Sequence, residues 1–109
     1  MTELEAYRRE IDAIDGELTR LFLRRMEVTG RVGAYKQAHG LPVLDAAREK
    51  DVLARKAELA EGQAAKADVT ALYETILGLS RRQQRKLVTE AGDEGYARIR
   101  AALAGARPP

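Results

Sequence analysis

The chain has 109 residues, enough for one modest domain, and its 45% hydrophobic and 33% charged residues exclude wholesale disorder. A net charge of +2, from 19 basic and 17 acidic residues, is too even to point to nucleic acid. The absence of cysteine excludes disulfides and thiolate metal sites, and one histidine gives no basis for a transition-metal centre.

Aromatic residues are only 5%, so Leu, Ile, Val and Ala must build the core. Helix formers dominate and no stretch alternates like a strand, so the expected class is all-α. No apolar run reaches about 18 residues, so no membrane span is expected. The opening Met-Thr-Glu-Leu-Glu lacks the basic-then-apolar layout of a signal peptide, which makes a cytoplasmic location the expectation.

Thr2 and Glu5 fit a Ser/Thr-x-x-Glu capping box, so the first helix should start at Thr2. His39, Gly40 and Pro42 mark its end. Its apolar positions are Leu4, Tyr7, Ile11, Ile14, Leu18, Leu21, Val28, Val32 and Tyr35. They alternate by three and four, apart from one gap, and so form a heptad seam. A helix of that span measures about 55 Å, too long for the rest of the chain to wrap. Such a seam buries itself against a partner, and an antiparallel homodimer is the simplest closed form.

Asp45 should cap a second helix, with Glu49 in its first turn and a stripe of Val52, Leu53, Ala57 and Ala60. The stretch from Glu61 to Ala67 reads as a turn and linker. Asp68 should then cap a third helix carrying Val69, Leu72, Tyr73, Ile76, Leu77, Leu79, Leu87 and Val88, with Gly92 as its stop. A short amphipathic piece with Tyr96, Ile99 and Leu103 on one face is expected after it. The division is a helical domain over 1–90 and a C-terminal extension over 91–109.

Three polar residues interrupt these patterns. Arg25 fills the gap in the seam. Ser80 and Gln84 fall on the face that Tyr73, Ile76 and Leu87 would otherwise make apolar. An unpaired buried guanidinium is costly, so an anion should lie near Arg25. An interhelical salt bridge or a register-setting polar contact would also explain Arg25, and ordinary interhelical hydrogen bonds would explain Ser80 and Gln84.

Arg8 and Lys36 each follow a seam tyrosine and share one heptad phase, but lie roughly 42 Å apart on one helix. Antiparallel pairing about residue 20 or 21 sets residue 8 of one copy opposite about residue 33 of the other. That position falls between Arg25 and Lys36. The first turn of the second helix adds Arg48, Glu49 and free backbone amides. The combined inventory suits a small ligand with two carboxylates and a hydroxyl, handled by electrostatics and clamping.

The pieces Arg8-Arg9-Glu10-Ile11-Asp12-Ala13-Ile14-Asp15, Arg24-Arg25, Val32-Gly33-Ala34-Tyr35-Lys36, Leu41-Pro42-Val43-Leu44-Asp45-Ala46-Ala47-Arg48-Glu49 and Ser80-x-x-x-Gln84 together resemble the all-helical chorismate mutases. The resemblance runs from about Tyr7 to Gln84. It implies an intertwined dimer of three-helix chains, a unimolecular rearrangement of chorismate to prephenate, and a place in aromatic amino-acid biosynthesis. It implies no cofactor or metal. By the same resemblance, Arg25 and the partner's Arg8 bind the substrate carboxylates, assisted by Arg48 and Ser80. Lys36 and Gln84 donate to the ether oxygen. Glu49, with the backbone at Asp45, holds the ring hydroxyl. Lys36, Gln84 and Arg25 are then the catalytic set.

Arg81, Arg82, Arg85 and Lys86 form a basic cluster that is expected to be a solvated helix face. Gly30 and Gly33 interrupt the first helix at about 1 kcal/mol each, for close helix contact or for ligand room. An isochorismate-pyruvate lyase on the same scaffold would use nearly the same charges. A non-catalytic regulatory or partner-binding helical dimer is the alternative of another class.

Overall fold

A computed structural model describes residues 2–89. They form α1 (Glu3–Ala38), α2 (Ala46–Glu58) and α3 (Gln63–Thr89), with no strand among the described residues. The all-α, three-helix expectation is met. The proposed stop at Gly92 and the Tyr96, Ile99 and Leu103 stripe lie outside the described residues. No helix among those described is long and apolar enough to cross a membrane.

The start of α1 is the capping box foreseen above. Thr2 Oγ1 accepts from the Glu5 amide at 3.1 Å, and the Thr2 amide donates to Glu5 Oε2 at 3.3 Å. At the other end Gly40 adopts φ 66°, and the amides of Gly40 and Leu41 return to the carbonyls of Gln37 and Lys36. This is a Schellman closure, which satisfies carbonyls that the helix end would otherwise orphan. His39 stacks on Tyr35, with ring centroids 4.0 Å apart. Asp45 caps α2 as expected, its Oδ1 accepting from the Arg48 amide at 3.0 Å.

The start of α3 differs from the expectation. It begins at Gln63, and Asp68 lies in its second turn rather than at its cap. Gln63-Ala64-Ala65-Lys66-Ala67 are all strong helix formers, and nothing in them opposes helix once the chain has turned. The turn itself is made at Gly62, with φ 85°. The Gly62 carbonyl accepts from the Lys66 amide at 3.1 Å, the first bond of the helix.

Helix α3 packs on both α1 and α2. The core is thin: Ala34, Val52 and Leu77 are the buried apolar side chains among the described residues. Gly33 lets α3 approach α1 closely, since a β-carbon there would meet Gln84 Cγ at 2.7 Å and Leu87 Cδ1 at 3.4 Å. Of the two explanations open for this glycine, close helix contact applies. The α1 seam lies bare on the single chain. All of its apolar members are exposed, from 41% at Val32 to 61% at Leu21.

Candidate active site

Each helix turns one face toward a common cavity of about 310 Å³. From α1 come Arg25, Val28, Thr29, Val32 and Lys36, spaced as one helical stripe. The cap and first two turns of α2 supply Asp45, Arg48, Glu49 and Val52, at i, i+3, i+4 and i+7. Leu77, Ser80, Arg81 and Gln84 repeat that spacing on α3. Val43 closes the loop side. Val28 and Val32 belong both to this lining and to the exposed seam, so the cavity borders the bare face of α1.

Ser80 and Gln84 are 6% and 5% exposed, and both are satisfied. The Ser80 hydroxyl donates to the Ile76 carbonyl at 3.1 Å and accepts from Arg25 Nη1 at 3.1 Å. Among the described residues no carboxylate pairs with Arg25. Most of its guanidinium donors therefore remain for a ligand. The salt-bridge alternative for Arg25 is not the arrangement found within one chain.

Lys36 Nζ donates to the Val43 carbonyl at 2.8 Å and makes a longer contact of 3.5 Å to Gln84 Oε1. Gln84 Nε2 donates to the Thr29 carbonyl at 3.0 Å, which leaves its second amide hydrogen uncommitted. The neighbouring Gln83 braces the same turn of α1. It donates to the Met26 carbonyl at 2.8 Å and accepts from Thr29 Oγ1 at 2.9 Å. These bonds hold Gln84 against α1 beside Lys36, with one Gln84 amide hydrogen uncommitted.

Arg48 is more open, with its side chain 61% exposed and 3.6 Å from Asp51. A hydrogen bond from Arg55, followed by the charges of Arg55 and Arg48, holds the Asp51 carboxyl below the usual carboxylate range. Arg48 thus stands at the open rim of the cavity, held by one long contact to Asp51. Glu49 pairs with Arg81 across the α2–α3 contact.

Arg25, Lys36, Asp45, Arg48, Glu49, Ser80 and Gln84, all singled out in the sequence, come together in this lining. Arg8 does not. It is exposed on the first part of α1, 17 residues before Arg25 and therefore about 26 Å away along the helix. Arg81 was placed on a solvated face by sequence reasoning, yet it enters the cavity. The signal was its spacing from Leu77 and Gln84, four and three residues, which puts it on the inward stripe. Its neighbours Arg82, Arg85 and Lys86 are exposed, as expected.

Residues 7–85 match the profile of the family chorismate mutase type II. The chain is 34% identical to the T-protein of Enterobacter agglomerans over 96 residues, 88% of this chain and 24% of that protein. It is 35% identical to the T-protein of Haemophilus influenzae over 99 residues, 91% of this chain and 25% of the other. A 4-amino-4-deoxychorismate mutase of Streptomyces venezuelae is 38% identical over 58 residues, 53% of this chain and 56% of that one. The chain thus spans about a quarter of the length of the T-proteins it matches. No solved structure matches significantly. The profile match covers α1 from Tyr7 onward, all of α2 and α3 through Arg85, which includes every residue of the cavity lining, and on that ground the chain belongs to the chorismate mutase type II family.

Proposed function

We propose that the protein rearranges chorismate to prephenate, at a site completed by a second copy of the chain. The observation that carries this reading is the pairing of Lys36 and Gln84 in a cavity where Arg25 keeps most of its donors free. The reaction breaks one C–O bond of an ether as it forms one C–C bond, with no proton transferred. Negative charge grows on the ether oxygen as its bond lengthens. An ammonium and an amide aimed there bind the transition state better than the ground state. Arg25, Arg48 and Ser80 hold the carboxylates so that the bonding carbons stay close. Glu49 and the backbone at Asp45 hold the ring hydroxyl. The Streptomyces relative is named for 4-amino-4-deoxychorismate, in which an amine stands where chorismate carries that hydroxyl.

The bare α1 seam supports the dimer. Apolar side chains along a whole helix face are stabilised by burial, and the thin core of one chain offers them nothing to pack on. Antiparallel pairing about the middle of α1 covers the seam, closes the cavity beside Val28 and Val32, and brings the partner's Arg8 to the carboxylates. Incubation with chorismate, and separately with isochorismate, with products identified by NMR, tests the reaction. Prephenate from chorismate is expected. Unchanged chorismate overturns the proposal, and pyruvate from isochorismate alone would assign the lyase instead.

A further inference from the structure

Arg81 has no part in the rearrangement just described, yet it stands in the cavity beside Ser80 and Gln84. Its guanidinium pairs with Glu49. The two side chains are 28% and 21% exposed, so the pair is largely withdrawn from solvent, unlike the exposed Arg82 and Lys86 on the same helix. The pairing occupies Oε1 of Glu49 and leaves Oε2 for a ligand.

The substituent that meets this pair faces an acceptor and a cation at once. A hydroxyl suits both, because it donates to Glu49 Oε2 while its own lone pairs accept from Arg81. An ammonium offers three donors and no acceptor, and it sets a positive charge against the guanidinium. Glu49 alone would attract an ammonium, and Arg81 offsets that attraction.

We propose that Arg81, through its pairing with Glu49, is a specificity residue that makes the cavity accept a ring hydroxyl and reject the same ring bearing an ammonium. This inference rests on the chorismate reading above. A role as a plain α2–α3 strut would change stability, and would change turnover of both substrates alike.

The test is kcat/KM for chorismate and for 4-amino-4-deoxychorismate, measured on the wild type, Arg81→Met and Arg81→Lys. Methionine keeps the volume and removes the charge, whereas lysine keeps the charge and loses the fork. The wild type should prefer chorismate. Arg81→Met should shift the ratio toward the amino substrate by at least about tenfold. Arg81→Lys should stay within about threefold of the wild-type ratio. Arg81→Gln, neutral and a good helix former, gives the same readout if the methionine variant loses helicity. A ratio within about twofold of wild type in the neutral variants, with an active wild type, overturns the role of Arg81 alone. So does a lysine variant that matches the neutral ones. A wild type inert on chorismate overturns the underlying reading, and this role with it.

Discussion

A β-carbon on Gly33 would stand 2.7 Å from Gln84 Cγ and 3.3 Å from Gln84 Cβ, so the absence of a side chain on α1 is what seats the Gln84 amide beside Lys36. Those two Gln84 atoms lie next to the α3 backbone and cannot swing aside as the end of a long side chain would. Gly33→Ala must therefore push α3 away or turn Gln84 out of place. Overpacking of this kind costs about 1–3 kcal/mol. A misplacement of about 1 Å at a reacting group can cost up to about a hundredfold in rate. The expected outcome is a lower melting temperature together with a drop in chorismate turnover of more than about tenfold. Unchanged values for both would contradict the contact.

In the proposed reaction Lys36 and Arg25 donate to developing or fixed negative charge, so truncating either should cost about 10²–10³ in kcat. Lys36→Ala and Arg25→Ala should keep wild-type circular dichroism, because neither side chain holds the helices together through an ion pair within the chain. Near-normal turnover in either variant would sink the assignment.

The Gln84 amide does not titrate, so the wild-type rate should not need acidic pH. Gln84→Glu replaces the amide with a group that donates only when protonated. Its activity should rise as the pH falls through the carboxyl pKa, while the wild-type profile stays flat over that range. Parallel rate profiles of the two proteins are the check, and profiles of the same shape would remove Gln84 from the ether oxygen.

The seam, the capping box at Thr2 and the cap at Asp45 were legible because each is a local pattern that one helix states by itself. Arg25, Ser80 and Gln84 stood out because they break an apolar face. Arg81 did not, since it lies among four basic residues and an arginine in such a run is usually solvated. Its spacing from Leu77 and Gln84 was the sign of an inward position, and the basic run around it masked that sign until α2 was found packed against it. The start of α3 was misjudged for a related reason. Asp68 has the chemistry of a cap, but helix formers upstream let the helix run back to the point where Gly62 turns the chain. Gly33 was visible as a flaw in α1, and its purpose became clear only when Gln84 was found against it.

Gly62 makes the α2–α3 turn at φ 85°, and a β-carbon there would meet nothing within 4 Å. The effect of Gly62→Ala is then a backbone effect alone, about 1–2 kcal/mol for an alanine in a left-handed conformation. The turn supplies no residue to the cavity lining. Gly62→Ala should therefore lower the melting temperature and leave kcat and KM at 25 °C unchanged. A loss of activity in the folded variant would tie this turn to the site.

The shared site can be tested by mixing two inactive proteins. If Arg8 serves the partner's cavity, Arg8→Ala and Lys36→Ala homodimers are both inert. In the mixed dimer one cavity carries both lesions. The other has Lys36 from the first chain and Arg8 from the second, and is intact. Equal amounts assorting at random give about half mixed dimers, each with one working site of two, so activity should recover to about a quarter of wild type. Unfolding and refolding the two proteins together, followed by a chorismate assay, provides the measurement. Arg25→Ala mixed with Lys36→Ala is the control, because both residues line the cavity of their own chain and every mixed dimer then has one lesion per site. That mixture should stay inert. Recovery in the control, or none in the first mixture, would place Arg8 outside the partner's site.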